Sequence, residues 1–388
     1  MLGLMQDYPL LVHTALDHAM VNHGERELVT RSVEGPIRRY TFADLHSRSL
    51  RVAKALERDG VKLGDRIATM AWNTDRHMET WYGIMGIGAI CHTLNPRLFA
   101  EQLVYIINHA QDRMLFVDLT FLPLIQALAD KIPTVEKVIV MTDADHMPAD
   151  AGSNAVAYED WLGGVDEDFA WARFDENTAA ALCYTSGTTG NPKGVLYSHR
   201  SNILHGLMAN QSDVFGLTSH DSILPIVPMF HANAWALAFS VPMAGAAMVM
   251  PGPGMDGASI YELLDAEKVT ASAAVPTVWL GLIQYLEETG KTLPHLDRVV
   301  IGGAAVPRVM IEKLQNNYDV EVVHGWGMTE MSPIGTTGAI KHAVSHLEGD
   351  ALVELKLKQG RAPYGVEMKI VNDDWQDQPR DGASFGHL

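Results

Sequence analysis

The segment with the most chemical capacity is Tyr184-Thr185-Ser186-Gly187-Thr188-Thr189-Gly190-Asn191-Pro192-Lys193-Gly194. It follows an apolar run, Ala179 to Tyr184, that reads as a strand. Glycines let backbone N–H groups turn toward one point, and the hydroxyls of Thr185, Ser186, Thr188 and Thr189 add further donors. Lys193 adds a cation able to follow a polyphosphate. The segment is not a loop of the G-x-x-x-x-G-K-[ST] kind, because Pro192 precedes the lysine and Gly194 follows it. Polyphosphate binding is expected here without the usual γ-phosphate chemistry.

Other patterns are weaker. Gly83, Gly86 and Gly88 hint at a dinucleotide turn, but Cys91 takes the last glycine position and the segment reads as helix. Asp143, Asp145, His146 and Asp150 lack EF-hand spacing and its glycine, so a solvated acidic loop is expected. The 17 histidines include no H-E-x-x-H pair. His231 stands apart because Phe230 and Trp235 flank it. No G-x-S-x-G elbow is present, which counts against a serine hydrolase. The 19 methionines are read as core filler.

These residues must be positioned by a large apolar framework. The chain has 388 residues, of which 47% are apolar. That length suggests two or three domains, or one α/β unit with subdomains. The net charge of −18 argues against nucleic acid and anionic lipid as partners. Cys91 and Cys183 are too few for a disulfide framework and fit a reducing compartment. Met1 to Met20 has no signal-peptide pattern, and the longest apolar stretch, Ala234 to Pro251, is too short and interrupted to span a bilayer. A soluble, cytoplasmic protein is expected.

Strand-like and helical runs alternate. Helices are expected from the Thr41 cap to Gly60 and over Arg76–Ile90, Glu101–Asp112, Ser201–Asn210, Ser259–Glu267, Thr277–Glu287 and Val309–Tyr318. Strands are expected at Asp65–Ala71, Met114–Asp118, Val138–Met141, Ala179–Tyr184, Ile223–Val227, Arg298–Ile301 and Val320–Val323. Asp143 to Asp166 reads as a loop and a subdomain boundary. Such alternation implies a largely parallel sheet covered on both faces. Val353–Lys358 and Val366–Val371 alternate as barrel or antiparallel strands do. The expected divisions are an α/β subdomain over 1–175, a nucleotide- and acyl-binding α/β subdomain over 176–340, and the start of a β-rich subdomain over 341–388.

The lysine loop resembles the phosphate loop of the adenylate-forming superfamily, and further motifs follow in that family's order. Pro228-Met229-Phe230-His231-Ala232-Asn233-Ala234-Trp235 resembles its acyl-pocket motif. Gly302-Gly303-Ala304-Ala305-Val306-Pro307 resembles its adenine-side loop, and His324-Gly325-Trp326-Gly327-Met328-Thr329-Glu330 its nucleotide and magnesium motif. Gln359-Gly360-Arg361-Ala362-Pro363-Tyr364-Gly365 resembles the turn that follows. The acyl motif is most similar to the fatty acyl-CoA synthetase branch. Glu348-Gly349-Asp350 mimics the family's ribose-binding T-G-D but precedes the Gln359-Gly360 turn, so that role is not carried over.

The resemblance implies the large N-terminal domain of that fold: two parallel-type sheets sandwiched by helices, plus the start of a β-barrel, with the small C-terminal domain and its catalytic lysine absent. It implies an AMP-forming acyl-CoA synthetase that uses ATP, Mg²⁺ and CoA to activate a short- or medium-chain acid, 3-methylmercaptopropionate among them. Lys193, Thr329, Glu330 and His231 are the implied catalytic residues. Thr185, Ser186, Gly187, Thr188, Thr189, Lys193, Gly303, Ala304, Ala305, His324, Gly325, Trp326, Gly327, Met328 and Thr329 would meet the nucleotide. His231, Trp235, Gly302 and Pro333 would meet the acid, with Trp235 as a gate, and Thr185 and Glu330 the metal. A homodimer through the N-terminal part is also implied. The alternatives are an adenylation domain that loads a carrier protein and a non-catalytic acyl-adenylate-binding remnant.

Overall fold

Thr41 starts the helix Phe42–Arg58 through a reciprocal cap: its Oγ1 accepts the Asp44 N–H at 3.2 Å, and the Asp44 carboxylate accepts the Thr41 N–H at 2.9 Å. Leu45, Val52, Ala53, Ala55 and Leu56 share its buried face. In the next helix, Asp75–Gly86, every residue is buried. It is shorter than the expected Arg76–Ile90, because Gly88 at φ +75° turns the chain and Ile90 opens a strand.

The computed structural model describes residues 1, 3–185 and 190–388. In chain order the described strands are β1 (Glu27–Arg31), β2 (Ile37–Thr41), β3 (Arg66–Met70), β4 (Ile90–Thr93), β5 (Met114–Val117), β6 (Lys137–Val140), β7 (Ala155–Ala157), β8 (Ala179–Tyr184), β9 (Gly194–Ser198), β10 (Ser222–Pro225), β11 (Ala247–Met250), β12 (Ala271–Ala274), β13 (Arg298–Ile301), β14 (Glu321–Gly327) and β15 (Ile334–Thr337). They form an eight-stranded sheet, β15-β14-β13-β12-β10-β11-β1-β2, and a seven-stranded sheet, β7-β6-β5-β3-β4-β8-β9. All pairings are parallel except the three edge pairs β1–β2, β8–β9 and β14–β15.

Three apolar clusters give the layering. The largest joins the two sheets through Leu16, Phe42, Trp81, Tyr82 and Phe239, with helices His13–His23, Phe42–Arg58, Asp75–Gly86 and Leu237–Ala244 between them. A second packs Leu263, Trp279, Leu282 and Ile311 from helices Gly257–Ala266, Pro276–Thr289 and Arg308–Tyr318 on the eight-stranded sheet. A third packs Leu103, Ile107, Leu122 and Ile125 on the seven-stranded sheet. The result is the expected pair of mostly parallel sheets sandwiched by helices.

Several local expectations are corrected. The loop expected from Asp143 to Asp166 contains β7 and a turn of helix at Tyr158–Trp161, and β7 extends the seven-stranded sheet. Val353–Lys358 is not a strand; it falls in the helix Gly349–Leu357 and the residue that follows. That helix packs on Arg308–Tyr318 through Arg308 to Glu354 (2.7 Å) and Lys356 to Gln315 (2.6 Å). Of the run Val366–Val371, only Val371 makes β-bridges. The sheets also exchange strands across residue 175: β1 and β2 join the later sheet, and β8 and β9 complete the earlier one.

Candidate active site

The C-terminal ends of β13 and β14 and the strand β15 open onto a cleft of about 220 Å³. The structure brings ten of the expected site residues to its wall: His231, Trp235, Gly302, Gly303, Gly325, Trp326, Gly327, Met328, Thr329 and Pro333. Val214, Phe215, Val300, Val323, Ile334, Thr336 and Thr337 complete the lining, and none of these wall residues is an acid or a base stronger than histidine. A cleft at the carboxyl ends of parallel strands is where an α/β sheet offers free backbone donors to a ligand.

One wall is the acyl segment. Asn73 fixes its start: Nδ2 donates to the carbonyls of Pro225 (2.8 Å) and Val227 (2.9 Å), and Oδ1 accepts the Met229 N–H at 2.7 Å. Ala232, Asn233, Ala234, Trp235 and Ala236 then all have φ between 44° and 69°. Five successive left-handed residues without a glycine are costly, on the order of 1–2 kcal/mol each. All five side chains are buried, which offsets part of that cost. The turn carries the Trp235 indole onto the Gly302-Gly303 backbone. A Cβ at Gly302 would stand 3.2 Å from Trp235 Cη2 and 3.0 Å from the Gly325 carbonyl, so a larger residue there would push the wall aside. His231 sits at the mouth, exposed to solvent on one side. Desolvation of its ring, and then the nearby Arg97 guanidinium, lower its pKa.

The opposite wall is the β14–β15 hairpin. Its floor is closed by the 359–361 turn, where Thr337 and Arg361 exchange backbone hydrogen bonds at 2.9 and 3.0 Å. Gly360 has φ +83°, and a Cβ there would lie 1.9 Å from the Thr337 carbonyl oxygen, so only glycine fits. Ala304 and Ala305 continue past the cleft into solvent and do not line it. His324 does not line it either. Its ring is buried near the carbonyls of Ala304, Lys356 and Leu357 without a hydrogen bond, and burial lowers its pKa.

Thr185 and Lys193, two of the residues expected to meet phosphate and metal, flank the turn of the β8–β9 hairpin. Thr185 N–H donates to the Lys193 carbonyl at 2.9 Å, which sets the lysine at the head of β9. Lys193 is exposed, and among the described residues its ammonium makes no ion pair. Ser186, Gly187, Thr188 and Thr189 lie outside the described residues. Glu330 is exposed, with no hydrogen-bond partner among the described residues. Neither Lys193, Thr185 nor Glu330 is part of the cleft wall itself.

Three polar side chains at the site were not foreseen from sequence. The buried Tyr197 on β9 donates its hydroxyl to the Thr329 carbonyl at 2.5 Å and so joins the β8–β9 hairpin to the 324–330 segment. Burial, then Cys183 and Glu330, raise the Tyr197 pKa, which keeps the hydroxyl a donor. His205 Nε2 accepts the Ile334 N–H at 3.1 Å, and burial holds its pKa at about 3, so the ring is a neutral acceptor. Asn202 Oδ1 accepts Asn233 Nδ2 at 3.1 Å. A tyrosine in an apolar strand gives a weak signal, and the two helix residues give none.

Away from the cleft, Glu34, Asp143 and His146 place ligand-type atoms within 4.8 Å of one another. Glu34 is already held by Arg76 at 2.6 Å and Thr142 at 2.8 Å, and Asp143 caps its own turn, in keeping with a solvated acidic loop.

The profile of the AMP-binding enzymes matches residues 16–388. The chain is 46% identical to the 3-methylmercaptopropionyl-CoA ligase of Ruegeria lacuscaerulensis, covering 100% of this chain and 72% of that protein. It is 45% identical to the medium-chain-fatty-acid–CoA ligase of Ectopseudomonas oleovorans, covering 71% of it. Among solved structures, the anthranilate CoA ligase AuaEII in complex with anthranoyl-AMP superimposes with a TM-score of 0.82 at 23% identity over 97% of this chain and 69% of the other. The N-terminal domain of FACL13 from Mycobacterium tuberculosis does so with 0.77 at 23% identity, covering 95% of this chain and 86% of that one. These two likenesses speak to the fold, and the chain spans about 70% of the length of the ligase relatives it matches. Matched by that family's profile over residues 16–388 and 45–46% identical to two ligases over its whole length, the chain belongs to the family of AMP-binding enzymes.

Proposed function

We infer that this chain is the substrate-binding body of an AMP-forming acyl-CoA synthetase, which joins a carboxylic acid to AMP and then passes the acyl group to CoA. The observation that carries this is a cleft lined on one side by His231 and Trp235, which would meet the acid, and on the other by Gly325–Thr329 of the β14–β15 hairpin, which would meet the nucleotide. The 45–46% identical ligases support the reaction class, and their acids make 3-methylmercaptopropionate and medium-chain fatty acids the first substrates to try. An amino acid is disfavoured as substrate. Its ammonium would enter a wall with no carboxylate among the described residues, and an unpaired buried charge is costly.

The chemistry needs no protein nucleophile. The substrate carboxylate attacks the α-phosphorus, pyrophosphate leaves, and the barrier is the approach of an anion to a polyanion. Alignment and charge neutralisation are therefore the main levers. Lys193 would hold the β- and γ-phosphates as the leaving group, and Thr329 would meet the α-phosphate. Backbone at Gly303 to Ala305 and at Gly325 and Trp326 would clasp adenine. Trp235 and His231 would exclude water and hold the acid. The Glu330 carboxylate, an unpaired hard oxygen donor among the described residues, fits Mg²⁺, and the Thr185 hydroxyl would be a second oxygen ligand; among the described residues Thr185 Oγ1 makes a 3.5 Å contact to the Lys193 carbonyl. Bound Mg²⁺ supplies charge neutralisation on the phosphates. CoA then enters as the second substrate, and its thiol attacks the acyl-adenylate, releasing AMP.

The same reading includes a cytoplasmic setting, which the two buried free cysteines suit, and a homodimer through the N-terminal part, which is suggested by the resemblance to the fatty acyl branch alone. No helix among the described residues is long and apolar enough to cross a membrane. Pyrophosphate exchange in the longest natural form, with 3-methylmercaptopropionate, a C8 fatty acid or an amino acid, each with and without CoA, tests the reading. Exchange that needs the acid but not CoA, followed by thioester once CoA is added, is expected. Exchange with the amino acid alone would sink it in favour of a carrier-loading adenylation domain. No exchange with any acid would leave the binding remnant.

A further inference from the structure

We propose that Asn202 is the positioning residue that sets the acyl wall, and that helix His199–Ala209 holds the two walls of the cleft through separate side chains, Asn202 for the acid and His205 for the nucleotide. The inference rests on the cleft being the acyl-adenylate site. Asn202 and His205 are three residues apart on one face of the helix. Both are buried, and neither lines the cleft. Each makes one side-chain hydrogen bond, and the two bonds end on opposite walls: Asn202 on Asn233, and His205 on the Ile334 N–H of β15.

Asn233 is the second residue of the left-handed turn and the only one of its five with a polar side chain able to tie it down by two hydrogen bonds. Its Nδ2 goes to Asn202 at 3.1 Å; its Oδ1 meets only the Cys183 thiol at 3.9 Å, a weak contact. Backbone bonds also brace the turn, Ala234 N–H to the His231 carbonyl at 3.3 Å and Ala236 N–H to the Asn233 carbonyl at 3.0 Å, and the Asn202 bond is the side-chain tie that anchors it to a neighbouring helix. Relaxation at Asn233 would move Trp235, two residues on, off the Gly302-Gly303 backbone. Among the described residues, the buried Asn202 Nδ2 group has no hydrogen-bond partner. A residue chosen for core packing alone would not keep an unsatisfied amide there. The tie to Asn233 is the reason to keep it.

The test is calorimetric binding to this chain of non-hydrolysable acyl-sulfamoyl-adenosines with C3 to C10 acyl groups, beside AMP alone. In Asn202→Ala, the affinity gained from the acyl group is expected to fall about tenfold and to depend less on chain length. AMP affinity should stay within twofold. Asn233→Gly keeps the left-handed angles accessible but removes the tie, so it should produce the same acyl loss; the double variant should be no worse than either single. His205→Gln should leave the acyl increment unchanged. An unchanged acyl increment in Asn202→Ala would overturn the proposal, as would parallel loss of AMP and acyl affinity, or additive losses in the double variant. If Asn202→Ala does not fold, Asn233→Gly carries the same expectation and the same refutation. A wild-type chain that binds neither AMP nor any acyl analogue would instead overturn the acyl-adenylate reading on which the proposal stands.

Discussion

The junction between the two sheets and the acyl wall are both buried and lie one segment apart, but they are held together in opposite ways. At the junction, Arg76 binds Glu34 (2.6 Å), Glu159 (3.0 Å) and the Met141 carbonyl (3.0 Å). Arg48 binds Glu79 (2.6 Å) and Glu159, and Tyr158 donates to Glu79 at 2.7 Å. Each group there has several partners, so no single bond decides its place. At the acyl wall, five strained residues have side-chain ties from Asn73 at one end and Asn202 in the middle, beside short-range backbone bonds within the turn itself. The difference separates a frame that must not move from a wall that a modest change can reshape. Selectivity is expected to drift in the second region while stability is set in the first.

The largest effect should come from breaking the frame. Arg76→Ala leaves the buried Glu34 with only the Thr142 hydroxyl and Glu159 with only Arg48, and should cost about 3–5 kcal/mol of stability. A denaturant titration measures it. The ranking of acids should be unchanged in whatever folds; an altered ranking would show that the frame also shapes the wall.

Lys193→Ala should slow adenylation by roughly 10² to 10³, equivalent to about 2–4 kcal/mol, since it would contact the leaving pyrophosphate where charge builds. Acid affinity should hardly move. Exchange within threefold of wild type would remove Lys193 from the mechanism and leave the exposed hairpin head without a role.

Acid pH should act on the cleft more than its solvent-exposed surface suggests. Burial holds His77 at about 4 and His199 and His205 at about 3. Below pH 6.5 the unfolded chain takes up these protons and the folded chain does not, so stability falls from pH 6.5 downward until the folded values are reached. By pH 5 each contributes a loss on the order of 2 kcal/mol. His205→Gln keeps an acceptor for the Ile334 N–H without titrating. Its melting temperature should therefore fall less between pH 7 and pH 5 than that of wild type. Equal falls would mean that His205 is not neutral in the fold.

The smallest effect is the most specific. Trp235→Ala should shift preference toward longer acids, with each added methylene that finds cover worth about 0.8 kcal/mol. Measuring kcat/KM over a C3 to C10 series beside a thermal melt checks it. A uniform loss with a collapsed melting temperature would make Trp235 a core residue of the frame rather than part of the wall.

The frame and the wall also differ in how far the sequence discloses them. β8, β13 and the helix after Thr41 are readable because short apolar runs and a capping box are local signals. The site motifs are readable because glycines, hydroxyls and Lys193 cluster within a few residues. Asn73, Asn202 and His205 are not readable: each acts on a backbone group or amide 31 to 156 residues away. The same limit explains the Val353–Lys358 error. Val353, Leu355 and Leu357 alternate as in a strand, but Arg308 and Gln315 on a neighbouring helix supply partners for Glu354 and Lys356 and favour the helical period. Ile37–Thr41 is not readable because β2, exposed at a sheet edge, carries little apolar pattern.

The exchange of strands between the sheets has a consequence for how the chain is made. Leu28 in β1 pairs beside Met248 in β11, about 220 residues later. At typical synthesis rates the early hairpin waits roughly 10–45 s on the ribosome before its neighbour emerges. During that interval one edge of β1, with the apolar Leu28 and Val29, has no native strand to cover it. A nascent chain halted near residue 200 should accordingly recruit holding chaperones and resist native-like protease protection. For the same reason, fragments cut at residue 175 should not fold separately, and mixing them should be needed to recover either sheet.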